Sequence, residues 1–248
     1  MVGEDERLAA LRRRVRAACE AAGRRPDEVR VLLASKTMDA ATVRAALLAD
    51  AAARAAGSGT APVLLGENRV QELVAKAPLL TDLAPTWHVI GPLQSNKVNA
   101  ALRWAHAVES VADDALAHRL SQRCADRDAP LDVWVQVNVS GESTKHGVTP
   151  QDAAALAHRV ATLPGLRLAG FMTVGARSDD AAVVRAGYAR LRAVRDEVVS
   201  SGAPGTADAT GLSMGMSGDL ELAIAEGATV VRVGTAVFGA RPAPAGGA

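Results

Sequence analysis

Val29-Arg30-Val31-Leu32-Leu33-Ala34-Ser35 is an apolar, partly β-branched run of strand length, and Lys36-Thr37-Met38-Asp39 follows it directly. A run of this kind reads as a buried strand of a parallel sheet. The turn that leaves it contains no glycine, so it lacks the fingerprint with which a doubly wound nucleotide-binding sheet usually opens. Outward from this segment, apolar runs at 63–65, 87–90, 107–110, 133–139, 166–173, 209–213 and 229–233 alternate with helical patterns. Those patterns fall at 42–54, 68–77, 95–103, 113–127, 150–162, 179–200 and 219–226, and a further helix at 8–22 precedes the first strand. The alternation implies a parallel sheet, and eight strands in this length fit an α/β chain folded as a single (β/α)8 TIM barrel. One domain over residues 1–241 is expected, with 242–248 as a disordered tail and 51–61 as a fraying helix end and surface loop.

Of the 248 residues 49% are apolar but only 2% aromatic, so a sizeable core is expected to pack closely through small side chains. The net charge of +1, with both signs intermixed, gives no footprint for a nucleic-acid partner. Arg12, Arg13, Arg14 and Arg16 read as a solvated face of the first helix. Cys19 and Cys124 have no neighbours at metal-ligand spacing and read as buried thiols, so no metal is expected. The N-terminus does not have the form of a signal peptide and no apolar run reaches spanning length, so no membrane partner and a cytoplasmic location are expected.

In barrels of this kind functional residues stand at the carboxyl ends of the strands, and phosphate is often held after strands seven and eight. Lys36 ends the first strand. An ammonium there is costly to desolvate, and a lysine that sheds its proton can form a Schiff base with an aldehyde. Two glycine-rich turns, 213–218 (SMGMSG) and 234–239 (GTAVFG), stand after the last two strands. Glycines let backbone N–H groups approach an oxyanion, and Ser217 and Thr235 add hydroxyls. Ser217 with Asp219 is also suited to opening the helix at 219–226, and a capped turn is the plain alternative. A reactive lysine with a phosphate cradle suggests pyridoxal 5′-phosphate. Asn68 suits either a cofactor contact or a helix cap. His88, inside an apolar strand, reads as a core histidine. Arg232 alternates with Val231 and Val233, which points it into the barrel, where it needs an acceptor.

The blocks Ala34-Ser35-Lys36-Thr37, 66–72 (GENRVQE), 87–97 (WHVIGPLQSNK), 135–139 (VQVNV), 212–217 (LSMGMS) and 231–241 (VRVGTAVFGAR) resemble the pyridoxal phosphate homeostasis protein family. The resemblance implies a fold like the barrel domain of bacterial alanine racemase and an internal aldimine between pyridoxal phosphate and Lys36. It implies that Ser217, Gly234 and Thr235 hold the phosphate with backbone help from Met216. Asn68 would lie near the Schiff base, and Arg232 would face the pyridine nitrogen. Members of that family are regarded as carriers or regulators of the cofactor's supply rather than as enzymes. Met38, Asp39, Leu65 and Arg69 depart from the family pattern.

A second function class, a pyridoxal-phosphate racemase or decarboxylase, shares these features. A fixed cation at the ring nitrogen makes the ring a weaker electron sink than a carboxylate would. Racemisation also needs a second base, and Tyr188, the only tyrosine, falls in a predicted surface helix. A carrier without a catalytic residue is therefore expected, as a monomer, with pyridoxal-phosphate-dependent apo-enzymes as partners. An aldolase forming a Schiff base with a phosphorylated sugar is a third reading.

Overall fold

The computed structural model describes residues 3–142 and 144–239. The expected tail and the last two residues of the expected domain lie outside the described residues. Eight strands run in chain order: β1 (Arg30–Ala34), β2 (Leu64–Glu67), β3 (Trp87–Val89), β4 (Ala105–Val111), β5 (Leu131–Gln136), β6 (Leu166–Met172), β7 (Gly211–Ser213) and β8 (Val230–Val233). They form a closed barrel, every pair parallel, with β8 returning to β1.

Helices α1 (Glu4–Ala21), α2 (Ala40–Ala55), α3 (Val70–Lys76), α4 (Val98–Leu102) and α5 (Asp114–Cys124) surround the first half. Helices α6 (Pro150–Ala161), α7 (Ala181–Ser200), α8 (Leu220–Ala225) and α9 (Thr235–Phe238) complete the ring. Local chemistry sets several starts. Asp39 accepts the Thr42 N–H to open α2, Asp113 accepts that of Leu116 for α5, and Thr149 precedes Pro150 at α6.

The strands bury both faces, as their composition requires. Outward-facing Val31, Leu33, Leu65, Val133, Phe171 and Val231 pack under the helices with Val43, Ala46, Leu73 and Leu116. Inside the barrel Leu32, Leu64, Trp134, Met172 and Val230 make a separate apolar cluster. The remaining inward positions include His88, Glu109, Gln136, Ser213 and Arg232, all buried. The barrel is thus filled, with polar groups gathered toward one end.

Several expectations need correction. The helix expected over 68–77 opens only at Val70, because Arg69 is extended, and it continues as a 3-10 turn over Ala77–Leu83. The helix expected over 95–103 begins with a 3-10 turn, Ser95–Lys97, before α4. Helix α2 runs one residue past its expected end, to Ala55, and 51–61 is, as expected, a helix end followed by a loop. The arginines of α1 are not simply solvated: Arg12 is largely buried against Asp50, and Arg14 makes a two-point pair with Glu221 at 2.9 Å on each side. They fasten α1 to α2 and α8.

Candidate functional site

Sheet register gathers the expected residues at one rim. Leu33 pairs with Val233 and Ala34 with Gly66, so Gly234 begins the exit of β8 beside the end of β1. Lys36 and Asn68 each lie two residues beyond the Ala34–Gly66 pair. The loop after β7 is tied to β8 by the Met214 N–H to the Val230 carbonyl (3.1 Å) and the Arg232 N–H to the Gly215 carbonyl (2.9 Å). Lys36, Asn68, Met216, Ser217, Gly234 and Thr235 therefore belong to neighbouring loops at the carboxyl end of the barrel, with Arg232 at the end of β8 beneath them.

Lys36 is half-buried and, among the described residues, takes part in no ion pair or hydrogen bond through its side chain. The chain has only four lysines: Lys36, Lys76, Lys97 and Lys145. Lys145 is engaged by Glu142 and the Gly175 carbonyl, and Lys76 is enclosed in a buried network. That network supports the Lys36 turn. Lys76 donates to the Ser35 carbonyl at 2.7 Å and to Glu67 Oε1 at 2.8 Å, and the Ser35 hydroxyl donates to the same Glu67 oxygen at 2.7 Å. Glu72 accepts the Thr37 N–H at 2.7 Å. Thr37 sits at φ 68°, a left-handed conformation that a β-branched residue rarely adopts and that a surrounding network must hold. Burial raises the Glu67 carboxyl above its usual range, against the contacts from Lys76 and Ser35.

Arg232 lies inside the barrel with 6% exposure. It donates to the Ser213 hydroxyl at 2.8 Å and to the Thr173 carbonyl at 2.6 Å. The Ser213 hydroxyl in turn donates to Glu109 Oε2 at 2.6 Å, and His88 Nδ1 lies 2.6 Å from Glu109 Oε1. His88 is thus a core histidine with a carboxylate partner.

The loop after β7 has a defined shape. Gly215 adopts φ +88°, and a Cβ there would overlap Ala223. Asp219 accepts the Met216 N–H at 2.6 Å and the Tyr188 hydroxyl at 2.8 Å. The Met216 amide is therefore engaged by Asp219 in this structure. Its side chain is 43% exposed. Ser217 is half-buried with its carbonyl held by Arg14, and Thr235 is exposed. Tyr188 corrects an expectation: it is fully buried, with its hydroxyl directed to this loop. Burial and the Asp219 carboxylate push its phenol far above the usual range. Asn68 does not cap α3, whose cap position is Arg69; instead its backbone presses against Gly91, leaving no room there for a Cβ.

Two open clefts flank the rim. One of about 790 Å³ is lined by Arg177, Asp179, Met216, Gly218 and Asp219, and one of about 560 Å³ by Asn68, Arg69, Glu72, Gln94 and Lys97. Neither is lined by Lys36.

Glu109, Ser213, Lys76 and Thr173 hold the candidate residues in place and were not singled out from sequence. Ser213 lay inside the glycine-rich motif. Glu109 carried a weaker signal: a carboxylate in an apolar strand, two positions from Ala107.

This barrel, with its candidate site at the strand ends, is of the alanine racemase N-terminal domain class, and the family model of that description matches residues 7–242. Alanine racemase from Corynebacterium glutamicum shares the fold, with a TM-score of 0.61 at 17% identity, over 94% of this chain and 62% of that one. A pyridoxal phosphate homeostasis protein of Pseudomonas aeruginosa is 43% identical over 95% of both chains. A structure of PipY from Synechococcus elongatus described as having PLP bound is 36% identical, with a TM-score of 0.77, over 95% of this chain and 100% of that one. The chain belongs to the pyridoxal phosphate homeostasis protein family.

Proposed function

We propose that this protein binds pyridoxal 5′-phosphate through Lys36 and carries or regulates the cellular supply of that cofactor. The observation that carries the reading is a half-buried lysine without a partner among the described residues, set on a hydrogen-bonded turn beside two glycine-rich loops. The residues suit the group. Gly234 at the rim has no side chain to fill the space beside Ala34, and Ser217 and Thr235 offer hydroxyls to a phosphate. Arg232 spends one N–H of each terminal nitrogen on Ser213 and Thr173, which leaves three of its five N–H groups, the Nε–H among them, as donors for a ring nitrogen. When bound, the cofactor supplies the aldehyde that joins Lys36 and a pyridine ring able to draw electrons.

Two residues support the reading of carriage over turnover. Arg232 brings a cation, not a carboxylate, to the ring position. The only tyrosine donates its hydroxyl to Asp219 and is held protonated, so it is not a base opposing Lys36. Among the described residues no helix is long and apolar enough to cross a membrane. The reading extends to a cytoplasmic monomer whose partners are pyridoxal-phosphate-dependent apo-enzymes.

Lys36→Ala is expected to abolish the visible band that forms when pyridoxal phosphate is added, with the far-ultraviolet circular dichroism unchanged. An unchanged band in that variant would refute Lys36 as the anchor. Transfer to an apo-enzyme without amino-acid turnover separates a carrier from a racemase or decarboxylase.

A further inference from the structure

We infer that Glu109, acting through Ser213, is the counter-ion that holds Arg232 in place and sets the charge presented to the cofactor's ring. The inference builds on the reading of Lys36 and Arg232 given above. Arg232 is enclosed by the barrel, yet its two hydrogen-bond acceptors, the Ser213 hydroxyl and the Thr173 carbonyl, are both neutral. A buried guanidinium without an opposing charge is strongly unfavourable. The groups that face it are Ser213 on β7, Thr173 after β6, Tyr188 on α7, Asp219 before α8, and Glu109 on β4. Tyr188 is protonated, and Asp219, which also acts on Arg232 through its charge, is oriented toward the Tyr188 hydroxyl and the Met216 N–H, with Glu109 the stronger of the two carboxylates at the guanidinium.

Glu109 is fully buried and one hydroxyl away from the guanidinium. Each of its oxygens has one partner, His88 on Oε1 and Ser213 on Oε2, so the carboxylate is fixed in orientation. Burial opposes its charge, but the contacts from His88, Arg232 and Ser213 outweigh burial and keep the carboxyl below its usual range. It is a positioning residue, reaching the cofactor only through Ser213 and Arg232. His88 joins the same chain from β3 and closes it on the far side.

The electrostatic consequence has a sign. Removing the Glu109 charge leaves Asp219 as the remaining carboxylate facing Arg232, so the field of the guanidinium is less compensated, which disfavours the protonated form of the lysine–cofactor linkage. Two charges several ångströms apart in a protein interior shift a titration by about one to two pH units.

The test is a pH titration of the visible band in protein loaded with pyridoxal phosphate, comparing the parent with Glu109→Gln and Glu109→Asp. The midpoint is expected to fall by about one unit or more in Glu109→Gln and to stay near the parent value in Glu109→Asp. A Glu109→Gln protein that folds, turns yellow and titrates like the parent overturns the inference. If Glu109→Gln does not fold, Ser213→Ala decides: it keeps both charges but cuts the bridge. It should weaken retention of pyridoxal phosphate several-fold and move the midpoint; unchanged retention and midpoint overturn the inference. A parent that never turns yellow would instead overturn the cofactor reading beneath it.

Discussion

Lys36 owes its position to residues that do not touch it. The backbone before and after it is clamped by Lys76, Glu67 and Glu72, and the left-handed Thr37 marks where that clamp holds the chain out of its preferred conformation. Lys76→Met leaves Glu67 buried with only the Ser35 hydroxyl, an uncompensated charge that costs about 3 kcal/mol. Urea denaturation of the ligand-free protein should show that loss, together with slower attachment of pyridoxal phosphate. Normal stability with normal attachment would mean that the turn holds itself. Lys36 and Arg232 were legible in the sequence because a charge at or within a buried strand is conspicuous. Lys76 and Glu109 were not, because their meaning lies in partners on other strands or helices. Lys76 meets a carboxylate from β2, and Glu109 bonds through Ser213, 104 residues away.

Among the elements, strand identity could be read from apolar runs, whereas boundaries and short helical turns could not. Pro78 lies in a 3-10 segment after α3, and α9 is a single turn that no hydrophobic period can reveal. The loop after β7 shows a sharper limit. Its glycines announced a tight turn, but Asp219, read as a helix-opening residue, turns its side chain back to Met216 and Tyr188. That loop depends on Gly215, whose positive φ and contact with Ala223 both exclude a side chain. Gly215→Ala is expected to cost about 2 kcal/mol, lowering the melting temperature by roughly 5 °C, and to weaken pyridoxal phosphate more than pyridoxal. Calorimetry and a binding titration with both vitamers would check this. Equal weakening would separate the loop from the phosphate.

As a whole, the molecule is a barrel whose closure does the positioning. Lys36 and Thr235 lie about two hundred residues apart in sequence, and the β1–β8 pairing makes their loops neighbours. The fold class followed from strand count and alternation, since parallel strands of this number close in a familiar way. The arrangement of α1 did not. Its arginines read as a polar face, but Arg12 meets Asp50 and Arg14 meets Glu221 and the Ser217 carbonyl, while just beyond the helix Arg24 donates to the Ile224 and Ala228 carbonyls. The first helix thereby braces the loop that carries Ser217. The central claim is that one lysine of four anchors the cofactor, and borohydride reduction followed by peptide mapping addresses it most directly. Protein incubated with pyridoxal phosphate should turn yellow, lose that colour on reduction, and carry a stable adduct on the peptide containing Lys36. A reduced adduct confined to Lys97 or Lys145, or no adduct at all, would contradict it.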